Sequence, residues 1–238
     1  MAYANANTEE VSPEDSAYFP SPGGVATRLL NVFTYTDSSG KQHKLMSFNH
    51  SGYDPDGIQT GRFMGGLLGM ARFIRIDSGW KLEVFQPAIG AYGAFSQSPA
   101  PLPLLIGDHQ YAYMIEHANG APGEPYQQDD YLIADIGSSY RQILCANKCG
   151  RSNCGNNECD WTSTYRVLRG DKQSFQDITI LCKGHYFAAD QTGLPEELKG
   201  KVIGNEQGDF TISRTFVYIE KKKGYRERLP AKVVILRR

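Results

Sequence analysis

From Trp80 to Leu144 the chain is a succession of short apolar or alternating runs cut by Gly, Pro, Asn and Asp: WKLEVFQPAIGAYGAFSQSPAPLPLLIGDHQYAYMIEHANGAPGEPYQQDDYLIADIGSSYRQIL. Such punctuation leaves no room for long helices but suits strands joined by turns. The aromatic content points the same way, with Tyr 14 and Phe 11 against five Met, because flat side chains pack well on a pleated surface. The expected architecture is therefore all-β: one domain over residues 25–238, an antiparallel β-sandwich with elaborated loops. A β-barrel and an irregular propeller are the alternatives, and the lack of a repeat of constant period counts against the propeller.

The strongest hairpin signal is ARFIRIDSGWKLEVFQ, where Asp77-Ser78-Gly79 turns a strand containing Phe73, Ile74 and Ile76 into one containing Trp80, Leu82, Val84 and Phe85. Thr27–Thr36 and Lys44–Asn49 form a second hairpin about Asp37–Gly40. Asp177–Phe187, Phe210–Glu220 and Ala231–Leu236 are further strands. The glycine-rich run Phe63–Met70 is read as a closely packed strand, bulge or buried bend, since each Gly in a helix costs about 1 kcal/mol relative to Ala. Leu194–Lys199 has the makings of one or two helical turns. Residues 1–24 carry no apolar periodicity and are expected to be a flexible lead-in, with Ser12-Pro13-Glu14-Asp15 as a single capped turn.

Cys145, Cys149, Cys154 and Cys159 fall within fifteen residues of hydrophilic sequence, and Cys182 is the fifth. A hydrophobic core does not explain how such a segment is ordered, so a loop at 145–159 fastened by its sulfurs is the expectation. Two disulfides would do this in an oxidising compartment, and would place the protein outside the cytoplasm or in a periplasm. One structural zinc held by thiolates would do it in the cytoplasm, although the paired two-residue spacing of common zinc sites is absent. No other cofactor is expected.

Residues 201–238 carry ten Lys or Arg against four Asp or Glu, a local +6 in a chain of net charge -1. Interrupted by an apolar strand and lacking interleaved stacking aromatics, these cations are read as solvent faces of the last two strands, and no nucleic-acid partner is expected. No apolar run is long enough for a transmembrane helix.

The chemical signals are sparse. Asp54 and Asp56 in HSGYDPDGIQTGR match an Asp-Pro-Asp-Gly turn better than an incomplete calcium loop. Asn49-His50-Ser51 matches the glycosylation acceptor pattern. Cys182 and His185, an odd number of residues apart, fall on opposite faces of a strand and are not expected to form a catalytic pair. His109, Glu116 and His117 lack the spacing of a metal motif, and no serine-nucleophile, phosphate-loop or dinucleotide motif is present. The functional expectation is a non-enzymatic binding or structural domain recognising a polar ligand, a glycan or a protein through aromatic loops, with Tyr92, Phe95, Tyr111, Tyr113 and Tyr126 as pocket walls. The alternatives are a hydrolase whose acids or histidines converge from loops and a cytoplasmic scaffold with structural zinc.

Overall fold

The computed structural model describes residues 4–6, 25–52, 64–119, 126–151, 159–170, 175–191 and 193–237. Among the described residues thirteen strands form two antiparallel sheets, neither closed into a barrel, as in a β-sandwich. The first sheet contains β1 (Ala4–Ala6), β2 (Val25–Thr36), β3 (Gln42–Gly52), β4 (Gly66–Ile76) and β5 (Gly79–Tyr92). The second contains β6 (Leu102–Gly107), β7 (Gln110–Asn119), β8 (Tyr126–Asp135), β9 (Tyr140–Arg151), β10 (Asp160–Leu168), β11 (Asp177–Phe187), β12 (Gln207–Ile219) and β13 (Gly224–Arg237). Each strand lies beside its neighbour in sequence, so both sheets are meanders built from local reversals. No helix among the described residues is long and apolar enough to cross a membrane.

Contacts divide the chain into two compact units, one of Met1–Leu104, Tyr111–Glu116 and Ile133–Arg141, the other of Leu105–Gln110, His117–Leu132 and Gln142–Arg238. In the first unit, β3 alternates between buried and half-buried residues along its length, as expected of a strand with one face on a core. Directly paired residues share a face, so Leu45, Ser47 and Asn49 define an inner face together with Phe33, Tyr35 and Arg72. Phe33 packs edge-on against Tyr111 at 5.1 Å and Tyr113 at 6.3 Å, and Tyr113 meets Tyr140 at 6.2 Å. Gln86 joins the same layer by donating to the Tyr140 carbonyl at 3.0 Å and accepting from its N–H at 2.7 Å.

Two sequence expectations are refined here. The run before Met70 is a strand from Gly66 onward, and it continues without interruption to Ile76. Its Gly69 is needed because a Cβ there would lie 2.2 Å from the Phe48 ring, which covers that position. The irregular lead-in contains a strand, Ala4–Ala6, paired antiparallel with Thr27–Val25. Ser12–Asp15 and the Asp54–Asp56 turn lie outside the described residues.

In the second unit, β10, β11 and β12 pair in continuous register, while the β12–β13 pairing shifts between Ser213 and Thr215. Their inner face presents Cys182, Phe210 and Ile212 to Ala188, Leu194, Leu198 and Val202 of the segment that links β11 to β12. That segment does not form an α-helix. It makes successive tight turns, with Leu198 N–H donating to Pro195 O at 2.9 Å and Lys201 N–H to Leu198 O at 2.9 Å. Burying Leu194 and Leu198 against the sheet compensates for the missing helical hydrogen bonds, so tertiary packing outweighs local propensity.

The 145–159 stretch is not a single loop. β9 runs through Cys145 and Cys149 to Arg151, and Cys159 lies one residue before β10. Four residues of strand separate the first two cysteines by about 13 Å, well beyond the reach of a disulfide. No disulfide joins Cys145, Cys149, Cys159 and Cys182 to one another, which corrects the cross-linked reading for these four. Cys154 lies outside the described residues. Cys159 is held instead by backbone, its sulfur accepting from Phe187 N–H at 3.1 Å.

Candidate interaction surface

The aromatic residues expected to line a pocket are mostly structural. Tyr92 and Tyr113 are buried, and burial raises the Tyr113 hydroxyl pKa well above the usual phenol range. Tyr111 stacks obliquely on Tyr35 at 5.3 Å. Tyr126 opens β8, and its side chain is outside the described residues. Phe95 alone of the four described rings is largely solvent-exposed. It sits in a tight reversal where Phe95 and Ser96 both have positive φ, at 52° and 55°.

That reversal is pinned by a buried polar cluster. Asn49 Nδ2 donates to Ser51 Oγ at 2.8 Å and Ser96 O at 3.1 Å, Ser51 Oγ donates to Ser96 O at 2.7 Å, and Asn49 Oδ1 accepts from Ser98 N–H at 2.8 Å. Asn49 is fully buried, so the Asn49-His50-Ser51 triplet is a packing element and cannot carry a glycan in this fold. Gly66 makes the space: a Cβ there would lie 1.9 Å from Asn49 Oδ1 and 2.6 Å from the Ser96 carbonyl. Gly66→Ala is expected to destabilise the chain by about 3 kcal/mol, the upper range for overpacking, and a chemical denaturation midpoint checks it.

The inner face of the first unit carries a line of charge. Asp37, at the β2–β3 turn, accepts from Ser39 N–H at 2.8 Å and Lys41 N–H at 3.0 Å through Oδ1, while Oδ2 meets His43 Nε2 at 2.9 Å. Chiefly through His43, and helped by Ser39 and Lys41, the Asp37 carboxyl is held far below its ordinary range. The other His43 nitrogen faces Glu83 Oε2 at 3.2 Å, Glu83 pairs with Arg72 Nε at 3.1 Å, and Arg72 Nη1 pairs with Asp135. Glu83 reaches this face because it is the extra residue where Arg72 pairs with Val84 but Phe73 pairs with Leu82. The bulge re-aims its side chain inward. This series of alternating acidic and nitrogen-bearing side chains, with Tyr35 stacked on His43 at 5.2 Å, ties β2, β3, β4, β5 and β8 together.

The thiols offer little nucleophilic character. Burial raises the pKa of Cys145 and Cys149, and that of Cys182 to about 11, so each is poor in the thiolate that would attack. Cys182 faces the core while His185 lies opposite Asp160 and Asp209 on the other face, as their odd spacing requires. His109 occupies a positive-φ turn position beside Asp108, and His117 meets Tyr131 edge-on at 6.0 Å. Among the described residues no three His, Cys, Asp or Glu side chains gather to hold a metal ion.

The feature that sequence reasoning missed is the outward face of β2–β5. By register, Leu29 pairs with Phe48, Val32 with Met46, Ala71 with Phe85, and Phe73 with Leu82. All of these point away from the inner layer. Leu29 is 51% exposed, Val32 47%, Leu82 48% and Phe85 60%. Phe48 and Phe85 stack at 5.9 Å. At one end Lys44 Nζ lies 4.3 Å and Arg75 Cζ 5.5 Å from the Trp80 ring centroid. The signal was present in the imperfect alternation of β2 and β5, where apolar residues occupy both faces, but it reads equally as a strand buried on both sides. No known protein family, curated protein or solved structure matches the chain.

Proposed function

We propose that this protein is a binding module that docks a protein partner on the outward face of β2–β5. The observation that supports it is the contiguity of Leu29, Val32, Phe48, Leu82 and Phe85, whose exposed apolar area lies on one sheet face and is not scattered singly. Fully burying a Phe or Leu side chain contributes roughly 1.5–3 kcal/mol, and covering these half-exposed side chains contributes about half of that each. The face also selects its partner by charge. Its described outward positions hold Lys44 and Arg75 beside Trp80 and no carboxylate, which fits a protein surface with an apolar centre and carboxylates at one rim.

The test is site-specific photo-crosslinking in cells that make the protein, with the probe at position 85 and, as control, at Thr164. A discrete protein adduct from position 85, absent from position 164 and lost when Leu82→Asp is added, is the expected outcome. Adducts of equal yield from both positions, or a product that is only a second copy of the chain, would overturn the reading.

A further inference from the structure

The outward face of β10–β13 has a different chemistry, and it arises independently of the apolar face. Register aligns Arg166, Thr179, Thr215 and Arg228 in one row across the four strands. The next row is Thr164, Leu181, Ser213 and Lys232, and the next is Thr162, Lys183, Thr211 and Val234. Strands stand about 4.8 Å apart, and successive residues on one face about 7 Å apart, except on β13, where the register shift between Ser213 and Thr215 leaves Leu229, Pro230 and Ala231 between Arg228 and Lys232. Arg166, Lys183, Arg228 and Lys232 are all exposed, and six hydroxyl side chains lie among them. Thr179 and Thr215 lie within 3.5 Å of one another inside their row.

The acids of this face are confined to its margins and already have partners. Asp177 lies 3.4 Å from Arg228, Asp209 lies 3.3 Å from His185, and Asp160, in the same outer row as His185, accepts from the His185 N–H at 3.3 Å. The middle rows therefore present cations and hydroxyls without a carboxylate. Only Arg228 and Lys232 belong to the basic stretch at 201–238. Arg166 and Lys183 come from other strands and join it through the register.

The geometry points to the outward face of β10–β13 as a binding surface for a linear anionic polysaccharide. Four cations spread over three rows match the several sulfates or carboxylates of an extended sugar chain, and the intervening Thr and Ser hydroxyls supply the donors and acceptors that sugar hydroxyls need. The aligned rows carry no aromatic ring on which a base could stack, and a flat sheet face does not enter a nucleic-acid groove as a helix or ribbon does. These two features favour a glycan over a nucleic acid.

The test uses the full chain with dextran sulfate and polygalacturonate as probes, unsulfated dextran as the neutral control, and single-stranded RNA and duplex DNA as competitors. Binding to one or both polyanionic glycans is expected, weakening as salt is raised. Which of the two binds distinguishes sulfate from carboxylate recognition. The triple variant R166Q/K183Q/K232Q is expected to weaken binding by about tenfold or more, as loss of three charge contacts should. A control, K221Q/K222Q/K223Q, removes the same charge from the β12–β13 turn and is expected to change binding by less than about twofold. Equal weakening by both triples, binding to neither polyanion at low salt, or tighter binding of RNA or DNA would overturn the assignment. Circular dichroism of each variant separates loss of binding from loss of fold.

Discussion

Replacing Arg72 by Met should cost the first unit about 3 kcal/mol of stability. Arg72 stands between Glu83 and Asp135, and its side chain is only 18% exposed. Removing one partner of a buried ion pair commonly costs 3–5 kcal/mol, because the remaining charge stays desolvated and unpaired. Here two carboxylates lose their guanidinium partner, while partial solvent access at Glu83 and Asp135 reduces the penalty. The chain has one Trp in each unit, Trp80 and Trp161. Denaturation followed by fluorescence in a Trp161→Phe background therefore reports on the unit that holds Arg72. Neutralising the acids as well, in R72M/E83Q/D135N, should recover most of the loss, since well-packed neutral replacements of buried ion pairs are often tolerated. A loss below about 1 kcal/mol would show that Arg72 behaves as a surface ion pair.

The strand meander was legible in the sequence because each reversal is local. Asp37–Gly40 and Asp77–Gly79 are turn sequences, and the structure places Gly40 and Gly79 at φ values of +81° and +136°. The extent of the strands was less legible. CANKCGR reads as loop by composition, yet it is the second half of β9, because a strand paired on both sides tolerates polar residues that local propensity disfavours.

The interior charge line was not legible, since Asp37, His43, Arg72, Glu83 and Asp135 come from a turn and four strands, and one of them turns inward only through a bulge. The aromatic pocket was misread for a related reason. Tyr111 and Tyr113 share a strand face beside turn-rich loops as ligand-facing residues would, and only tertiary packing shows that Phe33 and Tyr140 cover Tyr113. The cation and hydroxyl rows of β10–β13 depend on register over four strands, a property that no single segment carries.

Neutralising Asp130 should make the protein more stable at neutral pH. This residue is fully buried on β8, and neither oxygen has a well-formed hydrogen bond. Desolvation raises its pKa to about 6; Tyr165 opposes the rise and Asp129 adds to it. Cys145 and Cys149 are its other titratable neighbours. Below about pH 4 the carboxyl is protonated in both folded and unfolded chains and has no effect. Between about pH 4 and 6 the folded chain retains a proton that the unfolded chain has lost, so stability falls as pH rises. Above about pH 6 the penalty is complete, and a shift of about two units corresponds to roughly 2–3 kcal/mol. Asp130→Asn keeps the shape and removes the charge, and its amide can donate to the Tyr165 hydroxyl. Measured through Trp161 in a Trp80→Phe background, the variant should match the parent near pH 4 and exceed it by about 2 kcal/mol at pH 7. Asp37 has the opposite sign: its lowered pKa contributes stability above the ordinary carboxylate range that is lost on acidification. It belongs to the first unit, so Trp80 reports that loss separately. A difference between D130N and its parent that stayed constant from pH 4 to 7 would show that the burial of Asp130 has no electrostatic cost.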